Sequence, residues 1–127
     1  MMKHYIHLNM NKFIALYDCE GMAKDYPFIR DLKLVCNPRL KNTWGRAFIY
    51  EGGRRHGYVE LSALLFMQHY GHRKETFIHE LCHFIAAKHG DYGHGYVFKQ
   101  MMAKYTGVKN ESRFHQGIFD ERGKIAA

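Results

Sequence analysis

The sequence predicts a single α+β domain: an N-terminal helix, a small and mostly antiparallel three-stranded sheet, and two helices that close the fold. Three observations predict it. Apolar residues recur at helical spacing near the start of the chain and again through its second half, whereas residues 32–61 alternate as strands do. With 127 residues, 46% hydrophobic and 15% aromatic, the chain has enough apolar surface for one core and too little length for two. No repeat, low-complexity run or Pro/Gly/Ser-rich linker divides it, so residues 1–127 read as one domain with a core at about 10–106 and a polar tail over 108–127.

In chain order, Met10, Phe13, Ile14, Leu16 and Tyr17 share one helical face, and the first helix is expected from Met10 to about Met22. Gly21 and Pro27 mark its stop. Leu32-Lys33-Leu34-Val35-Cys36 alternates and ends at Asn37-Pro38. A second strand is expected at Gly45–Tyr50 and a third at Tyr58–Leu61. Gly52-Gly53 in the loop between them suits an antiparallel hairpin. Ser62 can cap a short helical segment that runs to about His69 and closes at Gly71. A longer helix follows from about Arg73 to Lys88, apolar on more than one face and therefore buried on most sides, with Gly90 at its C-terminal cap. After Asp91-Tyr92-Gly93 the last helix is expected from about His94 to Tyr105, ended by Gly107.

Composition narrows the function classes. The net charge is +7 and the pI near 9.4, which favours a polyanionic partner without requiring one. Cys19, Cys36 and Cys82 are odd in number, widely spaced and free of any C-x-x-C pair, so they read as buried thiols rather than a disulfide framework or zinc ribbon. No window approaches the roughly 18 continuous apolar residues of a membrane span. His7, Asn9, Asn11 and Lys12 interrupt any secretory core near the N-terminus. A cytoplasmic protein without membrane attachment is the expectation; oligomeric state is left open.

Ten histidines are unusual, and their spacing decides which matter. His79-Glu80-Leu81-Cys82-His83 lies inside the apolar helix. Residues four apart differ by about 40° around a helix, so two imidazoles at that spacing reach one ion from one face. Glu80 stands beside that face, where a base for a zinc-activated water belongs. H-E-x-x-H on a helix is a known metalloprotease signature, and it also arises by chance. Burial raises its weight, because an unpaired His and Glu would be costly in so apolar a helix. A catalytic zinc site needs a third ligand and an open position. His94, between Gly93 and Gly95, is the favoured third ligand. His89 points about 240° away on a continuing helix; it and Asp91 are the rivals.

These segments resemble a known family. His79-Glu80-Leu81-Cys82-His83, followed by His94-Gly95 and Phe98, is similar to the SprT-like (Spartan-type) zinc metalloproteases, which carry HELxH on one helix and a third histidine in an HGxxF segment opening the next. Thr43-Trp44-Gly45-Arg46-Ala47 and Tyr58-Val59-Glu60-Leu61-Ser62 resemble the strand region before the metal helix. The likeness spans about residues 10–106. It implies a zincin-like fold, Zn2+ as cofactor, His79, His83 and His94 as its ligands, Glu80 as the catalytic glutamate, and Phe98 as packing behind the third ligand. It also implies an endopeptidase whose protein substrates include DNA-bound or DNA-crosslinked ones. No cysteine follows Cys82 in this sequence, so no counterpart of the C-terminal zinc ribbon of larger members is expected.

Further residues carry weaker expectations. Arg39, Lys41, Arg46, Arg54 and Arg55 crowd a stretch with one acid, Glu51, and form the expected DNA-contacting patch; a solvated loop gives the same pattern. If Tyr58–Leu61 formed a sheet edge it could hold extended substrate by strand addition. Tyr92, Tyr96 and His115 are more ordinary as packing or surface residues than as catalytic helpers, Cys82 as core, His4 and His7 as surface, and Trp44 as core rather than a stacking platform. The competing reading is a zinc-stabilised module that binds nucleic acid or protein without cutting it; Glu80 argues against it, since a structural site needs no base.

Overall fold

The computed structural model describes residues 5–49 and 57–107, and the backbone of 125–126. The chain begins with a short strand, β1 (Ile6–Leu8), and turns at Asn9 into α1 (Met10–Leu16). Asn9 is the N-cap, its side chain accepting from the Lys12 amide at 3.0 Å, a bond worth about 1 kcal/mol to a short helix. The single helix expected to Met22 is in fact two. Asp18 adopts φ 57°, breaking the run before α2 (Glu20–Asp25). An aspartate tolerates this left-handed geometry better than most residues, and the turn sends Ile14 and Met22 into one core. Tyr17, buried at the break, packs on Phe13, Tyr70 and Phe77.

A 3-10 turn (Pro27–Asp31) leads to β2 (Lys33–Asn37), then β3 (Gly45–Phe48) and β4 (Tyr58–Ser62). The expected β3–β4 antiparallel pairing is present, from Gly45 opposite Leu61 to Phe48 opposite Tyr58. The Gly52-Gly53 loop lies outside the described residues. The sheet itself is mixed rather than mostly antiparallel and three-stranded. Its order is β1-β2-β4-β3, β4 runs parallel to β2, and β1 adds an antiparallel edge. The connection after β2 carries the chain past one strand position, and the hairpin returns β4 into the gap. Side-chain alternation records which face a residue takes but not which strand lies beside it. β4 is therefore internal and offers no free edge. A two-residue strand, β5 (Ile125–Ala126), pairs with the outer side of β3 at Phe48 and Ala47. It falls in the expected polar tail; residues 108–124 lie outside the described set.

Ser62 caps the next segment as expected, accepting from the Leu64 amide at 3.1 Å, but that segment is a 3-10 turn (Ala63–Met67). The long helix, α3 (Tyr70–Ala87), starts three residues earlier than expected, with His69 as its N-cap and Gly71 inside its first turn. Every residue from Thr76 to Ala86 is buried, because α3 packs against the sheet on one side and α4 (Tyr96–Thr106) on another. Gly90 ends α3 at φ 84° and Gly107 ends α4 at φ 78°, both in the left-handed region that favours glycine. Among the described residues no helix is long and apolar enough to cross a membrane.

Candidate metal centre

α3 presents His79 and His83 one turn apart from its buried middle, 2% and 0% exposed. Their Nε2 atoms are 3.2 Å apart. His94 Nε2 approaches His79 Nε2 to 3.4 Å, and the ligand-type atoms of all three rings lie within 4.8 Å of one another. Three imidazole nitrogens turned toward a common point fit a tetrahedral ion with one open position. Phe98, fully buried, forms the floor: its ring stacks on His83 with centroids 4.5 Å apart and meets His94 and His79 edge-on at 4.7 and 5.0 Å.

His94 does not open α4, as the spacing had led one to expect. It stands in the loop before it, half-buried, with Gly95 as the helix N-cap. Of its rivals, His89 is exposed beyond the end of α3. Asp91 is already engaged: Oδ1 accepts from the amides of Gly93 (3.3 Å) and Gly95 (3.2 Å), and Oδ2 from that of Phe98 (3.0 Å).

Glu80 is 1% exposed and lies against the start of β3, where a Cβ added to Gly45 would come within 3.2 Å of its carboxylate. Its Oε1 is buried without a hydrogen-bond partner among the described residues. Burial pushes its proton affinity well above the usual carboxylate range, the Glu60 charge adds to this, and Arg46 opposes it. A buried carboxylate oxygen left unbonded beside three converging imidazoles is costly unless a cation or a water completes it. The donor set therefore fits a divalent metal such as zinc, which takes neutral imidazole nitrogen readily.

Glu60 is the residue most easily overlooked. On internal β4 it is fully buried, accepting from Arg46 Nε at 2.6 Å and from Asn37 Nδ2 at 2.9 Å. This pairing engages Nε of Arg46, one of the residues of the expected basic patch, whose side chain stays 29% exposed. Arg39 and Lys41 are exposed on the loop after β2; Arg54 and Arg55 lie outside the described residues. Lys41 also borders a pocket of about 190 Å³ with Trp44 and Leu64.

The remaining sequence candidates have surroundings of their own. Tyr96 is 74% exposed, its hydroxyl accepting from Gln100 Nε2 at 2.6 Å, and Tyr92 is half-buried. Trp44 is half-buried against the core with His72 edge-on at 4.7 Å. Cys82 is fully buried, and burial raises its thiol well above the ordinary value, as befits core. Cys19 is likewise pushed up to about 12. His7 is exposed on β1, while His4 and His115 lie outside the described residues. The roles of Asp91, weighed above only as a ligand, and of Glu60 leave faint traces in sequence: Asp91 opens a D-x-G-x-G run before a helix, a capping signal, and Glu60 interrupts an apolar strand.

Comparison with known proteins agrees with this geometry. No curated protein and no solved structure matches the chain, but the profile of the SprT-like family matches residues 10–117, most of its length and all of the metal centre. The chain belongs to the SprT-like family.

Proposed function

We propose that the protein is a zinc-dependent endopeptidase in which His79, His83 and His94 hold the metal and Glu80 is the general base. The observation that carries this reading is the convergence of three imidazole Nε2 groups beside a buried carboxylate with an unbonded oxygen. A purely structural site would more naturally use four protein ligands and no base. The SprT-like family is generally one of zinc metallopeptidases, which supports the same reading.

When bound, zinc supplies Lewis acidity toward a peptide carbonyl and lowers the pKa of water toward about 7. The chain's own residues do the rest. Glu80 takes a proton from the attacking water at its carboxylate and returns it to the departing amine. Phe98 closes the floor behind the imidazoles and keeps bulk water from that side.

Because β4 is internal, extended substrate is assigned instead to the outer edge of β3, at Gly45 and Arg46 beyond the two residues that β5 pairs. That edge adjoins Glu80 through Gly45. We further assign DNA-bound proteins as the substrate class, with Arg39 and Lys41 as backbone contacts; a net charge of +7 supports this. The test is cleavage of an unfolded protein, free and DNA-bound, by wild type and Glu80→Gln, with zinc content measured on both. Loss of cleavage with zinc retained is the expected result. Zinc-loaded wild type inert toward every substrate would instead favour a non-catalytic binding module.

A further inference from the structure

We propose that Asp91 is the positioning residue for the third imidazole: by holding the Gly93, Gly95 and Phe98 amides it fixes the loop that brings His94 onto His79 and His83. It thereby sets metal affinity without touching the metal. The inference rests on the metal-binding part of the proposed function and is independent of the peptidase part.

His79 and His83 need no such help, since helical backbone bonds already hold them one turn apart. His94 lies outside any helix. Asp91 bridges the two sides. Its own amide donates to Ala86 O at 3.0 Å, at the end of α3, and its carboxylate reaches across to the amides flanking His94. The same carboxylate takes the amide of Phe98, whose ring floors all three imidazoles.

Ordinary helix capping accounts for only part of this. Gly95, the N-cap of α4, has no side chain, and Asp91 satisfies the third helical amide, Phe98, in its place. Capping has no use for the bond to Gly93, which belongs to the loop one residue before His94. Gly95 is shaped around the tether as well: a Cβ there would lie 2.9 Å from both Asp91 oxygens, whereas a Cβ on Gly93 would meet nothing within 4 Å.

The two roles separate in a double variant. Asp91→Ala removes both the loop tether and the cap. Adding Gly95→Ser to it restores a capping hydroxyl at the N-cap, where the backbone is extended (φ −83°) and the clashing carboxylate is gone. Zinc affinity is measured by competition with a chromophoric chelator, and the melting temperature is measured on metal-free protein. We expect Asp91→Ala to weaken zinc binding by roughly 10–100-fold, the usual range for residues that orient a ligand. The double variant should regain melting temperature but not zinc affinity. Asp91→Asn, which keeps one acceptor oxygen, should fall between and serves if the alanine variant does not fold. Wild-type zinc affinity in Asp91→Ala or Asp91→Asn, or recovery of affinity together with melting temperature in the double variant, overturns the assignment. Undiminished zinc binding in His94→Ala overturns it along with the metal-site reading. The expected affinities in protein whose wild type cleaves no peptide would reject the peptidase reading alone.

Discussion

The metal centre has two halves built on different principles. His79, Glu80 and His83 stand on a helix buried from Thr76 to Ala86, where backbone hydrogen bonds within the helix set their spacing. His94 stands on a half-exposed loop and reaches the same point only because Asp91, Gly95 and Phe98 hold that loop. The contrast teaches that two ligands and the base can be read from local geometry, while the third is a product of packing. It also separates what each half can tolerate. The helical half is hemmed in by sheet and floor; the loop half has open space at Gly93.

The largest effect expected is in the helical half. Glu80→Gln should lower kcat/KM for protein cleavage by about 10²–10⁴-fold, the range for a lost general base, while zinc titration stays within a few-fold of wild type. Next come the ligands. Alanine at His79, His83 or His94 should each weaken zinc by on the order of 100-fold, taking ~3 kcal/mol per ligand. The metal-free proteins should then divide: His83→Ala leaves a cavity above Phe98 costing about 2–3 kcal/mol, whereas His94→Ala costs within about 0.5 kcal/mol. Equal losses in urea melts would erase the distinction between the halves.

Glycines sharpen it further. Gly45→Ala places a Cβ 3.1 Å from Glu60 O and 3.2 Å from the Glu80 carboxylate, so a loss of about 1–3 kcal/mol and reduced turnover are expected. Gly93→Ala should leave melting temperature and turnover near wild type. A further effect is on pH dependence. Burial raises the folded-state pKa of Glu80, so in metal-free protein its stabilising contribution is intact below the ordinary glutamate range. That contribution is lost as pH rises toward the folded-state value, because the unfolded chain ionises more readily. Glu80→Gln should flatten this part of the stability-versus-pH curve, and an unchanged slope would assign the dependence to another group.

Legibility in the sequence followed the range of the interactions involved. The pair His79 and His83 and the left-handed stops at Gly90 and Gly107 depend on neighbours within a few residues, the β3–β4 pairing follows from two strand patterns joined by one short loop, and all are present. The break at Asp18 was hidden, since no Gly or Pro marks it and only the packing of Tyr17 rewards the turn. The parallel β2–β4 contact was hidden because strand order follows from how the whole sheet closes. Arg46 looked like surface charge because the strand pattern does not show that Glu60, opposite it on β4, is a buried carboxylate.

The sequence alone determined that a buried helix would carry two imidazoles and a carboxylate on adjoining faces, because helical periodicity is enforced by bonds between residues four apart. Only the tertiary structure decided that His94 joins them from a loop, that Asp91 holds it there, and that Gly45 lies against the base. Those contacts join segments distant along the chain, and their geometry exists only once the sheet, α3 and α4 have packed together.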